Sequence, residues 1–165
     1  MLNRKRFTLI LVSLLLCFPL TAAALQKGEA FPTLVGETLS GAHFNLDSLK
    51  GKPILLKIGT TWCGTCRMQS KTINELRGFM GENGVHYVEV FIQESSKKVK
   101  QYFSDRSYQL PDTSILDNGD ISKKLNVYLI PRIILIDRDF KVYRDGDTIS
   151  KKNLKKQLQA ILAEQ

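Results

Sequence analysis

The sequence predicts an α/β domain, and three observations carry that prediction. Pro53-Ile-Leu-Leu-Lys-Ile58 is an almost unbroken apolar run, the pattern of a strand covered on both faces in a parallel sheet. Beyond it Cys66, Gln69, Ile73, Leu76 and Met80 recur at helical spacing, with Gly81 as the stop. Val85 to Ile92 is a second strand-like run, followed by Ser95 to Arg106, a surface helix with Val99 and Phe103 turned inward. A strand-helix-strand unit of this kind closes by a right-handed crossover.

The elements follow in chain order. Arg4, Lys5 and Arg6, the apolar stretch Phe7 to Leu20, and the small residues Ala22-Ala23-Ala24 have the make-up of a secretory signal peptide, residues 1–24, cleaved after Ala24. The apolar stretch is short for a membrane span of about 20 residues, so a retained anchor is the second choice. Large Leu16 before Cys17 argues against lipid attachment there. The domain occupies residues 25–165. It begins with a Gly-punctuated segment, 25–51, in which Gly36, Gly41 and the alternating run His43 to Leu46 suggest an N-terminal hairpin. Ser114 to Leu116 is a short edge element and Asp120 to Leu125 a short helix. Ile133 to Ile136 is a strand, Asp137 to Phe140 a turn, and Lys141 to Tyr143 the antiparallel return. A terminal helix starts at Ser150 as N-cap and carries Leu154, Leu158, Ile161 and Leu162 as one apolar stripe.

The chain of 165 residues fits one domain and a leader. Loss of the leader removes Arg4, Lys5 and Arg6 and no acid, so the formal net charge of +8 becomes only mildly basic. The remaining cations are scattered or lie on helix faces, as Lys151, Lys152, Lys155 and Lys156 do, without the interleaved aromatics of a nucleic-acid groove. No nucleic-acid partner is expected. His43 and His86 have no acidic partner at metal spacing, and no Gly-rich phosphate loop, carboxylate pair or nucleophilic serine stands out. Neither metal nor cofactor is expected, and the chain is expected to be a monomer.

The chemistry gathers at Trp62-Cys63-Gly64-Thr65-Cys66, which holds every cysteine outside the leader. Two cysteines three apart at the start of a helix place their sulfurs on one face, with Cβ atoms about 5–6 Å apart, close enough to form and break a disulfide. A structural bridge is the duller alternative, but so short a loop restrains the unfolded chain little. Half of a metal site is the other. Redox chemistry is the better reading.

The order of these motifs resembles the thioredoxin fold, and more narrowly the exported TlpA/ResA-like thiol:disulfide oxidoreductases. The resemblance spans residues 28–163 and rests on Gly51-Lys52-Pro53, Thr61-Trp62-Cys63-Gly64-Thr65-Cys66-Arg67, and Ile130-Pro131 leading into Ile133-Leu135-Ile136-Asp137. It implies a central mixed sheet flanked by helices, with the N-terminal hairpin as an extension and a cis Pro131 beside a Cys63–Cys66 redox disulfide. Cys63 at the helix start would be the attacking sulfur and Cys66 the resolving one. A cis bond before Pro131 would free the backbone of Ile130 to pair with an extended substrate, and Trp62 would shield the thiols or help dock the substrate, unless it merely packs. Implied partners are protein thiols and disulfides and a separate protein that recycles the pair, with membrane contact only if the leader is retained. Several family members keep haem-binding cysteines of apocytochrome c reduced, which favours a reductant or relay.

Two positions depart from the family pattern. A Glu normally lies three residues after the second cysteine, where this chain has Gln69, and the Pro two positions further on is Lys71. An amide can hydrogen-bond but cannot exchange a proton with a thiol. Six residues before Cys63, thioredoxins carry a buried Asp, and here Lys57 stands among Ile54, Leu55, Leu56 and Ile58. Either Lys57 snorkels past the sheet edge, or it reaches Cys66 from beneath, favouring the thiolate when charged or accepting the resolving proton when neutral. Two rival functions fit parts of the sequence. Thr60-Thr61-Trp62-Cys63 contains the Thr-x-x-Cys of thiol peroxidases, though Leu56 stands where their motif begins with Pro. A peptide-binding module without catalysis would leave the intact cysteines unexplained.

Overall fold

The computed structural model describes residues 25–106 and 109–164; the leader lies outside the described residues. Seven strands form one mixed sheet: β1 (Val35–Thr38), β2 (His43–Asn45), β3 (Ile54–Gly59), β4 (His86–Ile92), β5 (Thr113–Asp117), β6 (Arg132–Ile136) and β7 (Val142–Gly146). Their spatial order is β2-β1-β5-β4-β3-β6-β7. The three central strands β5, β4 and β3 run parallel, and the outer pairs are antiparallel. The helices are α1 (Gly64–Asn74), α2 (Arg77–Glu82), α3 (Ser96–Ser104), α4 (Asp120–Lys124) and α5 (Lys151–Ala163).

Every residue of β3 is buried, as its unbroken apolar run predicts for a strand covered on both sides. Alternate side chains serve different faces. Ile54, Leu56 and Ile58, with Val88, Val90, Ile134 and Ile136, pack against Phe31, Leu34, Leu46, Ile121 and Phe140. Leu55, Ile133 and Leu135 face the other way, toward Ile73 of α1, Met80 of α2 and Leu154, Leu158 and Ile161 of α5. By the period of two, Lys57 and Gly59 point to the α1 side along with Leu55. Ser150 caps α5 by accepting from the Asn153 backbone N–H.

Four expectations change. The helix after the cysteines is two helices, broken at Glu75 and Leu76, with Gly81 inside the second. Ile73, Leu76 and Met80 are all buried on the same side of the sheet, so the apolar spacing runs through the break unmarked. The segment around Ser114 is an interior strand, because the N-terminal hairpin covers its outer edge through β1. In α3 the fully inward residues are Val99 and Tyr102, while Phe103 is half-buried with its ring edge-on to Phe91. The return strand runs later than expected, over Val142–Gly146. Among the described residues no helix is long and apolar enough to cross a membrane.

Candidate active site

Strand β3 ends at Gly59, and four residues later Cys63 is the N-cap of α1. The Cys63 sulfur accepts the backbone N–H of Cys66 at 3.1 Å, which is how a cap satisfies one of a helix's orphan donors. The Thr65 hydroxyl lies 3.2 Å from the same sulfur. Cys63 and Cys66 form a disulfide with Cα atoms 5.2 Å apart. Cys66 is 1% exposed and Cys63 7%, so the first sulfur lies nearer the surface. A thiolate on Cys63 would meet the Cys66 N–H, the Thr65 hydroxyl and the positive end of an 11-residue helix.

Thr65→Val removes the hydroxyl while keeping the shape. The pH profile of Cys63 alkylation is expected to move up by about one unit, the order of one hydrogen bond to a charged group. Alkylation rates of the reduced protein across pH measure it.

The loop ahead of Cys63 is held from two sides. Glu94 accepts the Thr61 backbone N–H at 2.8 Å and its hydroxyl at 2.5 Å. Arg67 donates to the carbonyls of Thr61 (3.4 Å) and Trp62 (3.1 Å). Trp62, thus positioned, is 71% exposed, which removes plain packing as the reason for its presence. Tyr128 and Leu129 are also largely exposed and precede the cis Ile130–Pro131 bond. Strand β6 runs antiparallel to β3 with Arg132 opposite Ile58, so Pro131 lies at the end of β3 from which the cysteine loop departs. Arg132 is anchored by Asp145, whose side chain is fully buried, through bonds of 2.7 and 2.5 Å, and by the Leu125 carbonyl.

The two family departures have different fates. Gln69 is buried one turn after Cys66, and its carbonyl oxygen accepts the Ile149 backbone N–H at 2.9 Å, tying α1 to the approach of α5. Its amide nitrogen has no hydrogen-bond partner among the described residues. Lys57 does not snorkel past the sheet edge. It is 1% exposed and forms an ion pair with Glu89, opposite it in the β3–β4 register, and Tyr87 donates to the second Glu89 oxygen at 2.6 Å. Burial pushes the Tyr87 phenol well above its usual range, and the neighbouring Glu89 adds to the shift, so Tyr87 remains a donor.

Sequence reasoning missed Thr65, Arg67, Glu94 and Glu89. A signal existed for Glu89, a charge inside the apolar run of β4 just as Lys57 is inside that of β3. Two misfit charges of opposite sign in neighbouring strand patterns predict each other, because neither is tolerated alone in a core. Glu94 and Arg67 act on backbone groups of a loop, which residue spacing does not reveal.

A dithiol pair capping a helix at the end of a central strand, in a mixed sheet covered on both faces, defines a thiol:disulfide oxidoreductase of the thioredoxin fold. The Redoxin family profile matches residues 26–161. The thiol-disulfide oxidoreductase ResA of Bacillus thuringiensis subsp. konkukian is 30% identical over 84% of this chain and 78% of its own length. The thiol:disulfide interchange protein DsbE of Vibrio cholerae is 28% identical over 92% of this chain and 90% of its own. A Chlorobium tepidum crystal structure assigned as a DsbE thiol:disulfide interchange protein superposes with a TM-score of 0.75 at 23% identity, covering 84% of this chain and 99% of that one. The chain belongs to the Redoxin family, with the TlpA/ResA-like thiol:disulfide oxidoreductases.

Proposed function

We propose that this protein is exported and exchanges disulfides with protein cysteines as a reductant or relay, with Cys63 attacking and Cys66 resolving. The observation that carries the reading is the Cys63–Cys66 disulfide at the N-terminus of α1, one sulfur nearer the surface than the other, at the sheet end where Ile130–Pro131 leads into β6. A Cys63 thiolate opens a substrate disulfide and forms a mixed disulfide, which the Cys66 sulfur then resolves; the reverse sequence oxidises a substrate dithiol. The backbone of Ile130 and the exposed Trp62 ring offer an extended substrate hydrogen bonds and an apolar contact. The thiol-disulfide oxidoreductase and thiol:disulfide interchange activities of the ResA and DsbE relatives support this reading, and the leader composition supports export. A part in keeping apocytochrome c cysteines reduced is the finer form of the proposal.

Thiol peroxidase chemistry gains nothing from the structure. The Thr60 hydroxyl of its Thr-x-x-Cys element is buried and has no hydrogen-bond partner among the described residues.

Equilibrating the purified protein with glutathione redox buffers tests the direction. A reductant or relay is expected to have a potential below about −200 mV, and a value near about −120 mV, as for a dedicated oxidant, would overturn the reductant reading.

A further inference from the structure

The backbone nitrogen of Leu25 donates to Asp145 Oδ2 at 2.8 Å, although the two lie near opposite ends of the domain sequence. The pairing around them explains the placement. Gly28 donates to the Val142 carbonyl and Val142 to that of Glu29, so this segment runs antiparallel along β7, and Leu25, three residues before Gly28, meets Asp145, three after Val142. The Leu25 side chain is partly buried against the core that holds Phe31 and Phe140. Asp145 is a costly group to place there, because its side chain is fully buried. Its oxygens are held by Arg132 Nε at 2.7 Å and Nη2 at 2.5 Å. Arg132 directly follows the cis Ile130–Pro131 bond, so whatever fixes Asp145 also fixes the strand end that carries the proposed substrate platform. Other charges near the segment are engaged elsewhere: Lys27 with Glu164, Glu29 with the Gln26 N–H, Lys124 of α4 with the Thr33 carbonyl, and Arg144 of β7 with the Ile133 and Asp147 carbonyls.

We propose that Asp145 is the receptor for the α-ammonium group that leader removal creates on Leu25, and that this pairing sets Arg132 and Pro131 for substrate binding. The inference rests on the export reading, with the leader cut after Ala24. A signal peptidase adds water across the Ala24–Leu25 peptide bond. Ala24 leaves with a carboxylate, and the Leu25 nitrogen becomes a primary amine that is protonated at neutral pH. Before the cut that nitrogen is a neutral amide with one hydrogen, and Asp145 receives an ordinary hydrogen bond from it. After the cut the same nitrogen is positively charged, and the bond becomes charge-assisted, roughly twice as strong. The partial exposure of Leu25 suits the two further hydrogens, which need solvent. The buried carboxylate is then held by two cations, Arg132 from β6 and the first residue of the mature chain.

Three proteins released from a cleavable fusion test it: one starting at Leu25, one starting at Ala24, and Asp145→Asn starting at Leu25. Isotope-edited NMR of the dimethylated amine is expected to give a pKa about one unit or more higher in the first than in the other two, where the amine is displaced by one residue or loses its anion. The effect on stability has a definite sign. An amine whose pKa folding raises contributes stability below its unfolded value of about 7.7–8.0 and loses it as pH rises through the folded value. Urea midpoints of the Leu25 protein are therefore expected to exceed those of the Ala24 protein near about pH 6.5 and to converge with them near about pH 10. In reductive turnover of an oxidised peptide the Ala24 protein is expected to have a KM about threefold higher with kcat within about twofold. Equal amine pKa values in the Leu25 and Ala24 proteins overturn Asp145 as the receptor, and this comparison stands even if Asp145→Asn folds poorly. A displaced amine with an unchanged KM overturns the link to substrate binding. N-terminal sequencing of the protein from its own host separates the underlying reading, because a chain that keeps its leader overturns the cleavage itself, whatever the fusion proteins show.

Discussion

Cys63→Ser is expected to lower disulfide exchange by about 10⁴-fold or more, because it removes the proposed nucleophile and leaves a buried sulfur to act alone. Cys66→Ser is expected to behave differently. Its Cys63 still caps α1, with the backbone N–H of residue 66 aimed at its sulfur, so the first attack proceeds. Without the resolving sulfur, the reaction halts as a mixed disulfide between Cys63 and the substrate protein. Non-reducing electrophoresis of Cys66→Ser from its natural compartment is expected to show discrete thiol-sensitive adducts, and the double serine variant none. Adducts that persist in Cys63→Ser and vanish in Cys66→Ser would reverse the assignment. The same adducts identify the substrates, which links this variant to the question of whether apocytochrome thiols are among them.

The fold was legible wherever a local pattern dictated it. The apolar run of β3, the N-cap at Ser150 and the hairpin signals of Gly36 and Gly41 each correspond to an element at or near the expected place. What escaped was set by neighbours distant in sequence. Nothing between Asp112 and Asn118 shows that β5 is interior; that depends on β1 pairing across from the opposite end of the chain. The break between α1 and α2 is hidden for a related reason, since both helices bury their residues on one face and keep the spacing alive across Glu75 and Leu76. At the site the two sulfurs were evident, while the clamps Glu94 and Arg67 bind main-chain atoms and leave no periodic trace. Gln69 shows how a departure can be visible in the sequence while its contact is not. The absent acid was visible in the sequence, but the bond of its amide oxygen to Ile149 requires the α5 approach to be packed against α1.

Lys57→Met is expected to cost about 3–5 kcal/mol of folding stability, the usual consequence of removing one partner from a buried pair. The loss does not come from the lysine's own contacts. Methionine fills much of the same volume, whereas Glu89, only 2% exposed, keeps its charge without the cation that paired with it, and among the described residues the Tyr87 hydroxyl is the hydrogen-bond partner that remains. Against a total of about 5–15 kcal/mol for a domain, such a loss leaves a protein that folds but melts early. Urea unfolding at pH 7 measures it. Adding Glu89→Leu is expected to restore most of the stability, because two apolar residues of similar size need no compensation. A single variant as stable as the parent would mean that water or a rearranged side chain already solvates Glu89. Full recovery in the double variant carries a further consequence: the pair then contributes little net stability, and its retention in the core is not explained by folding.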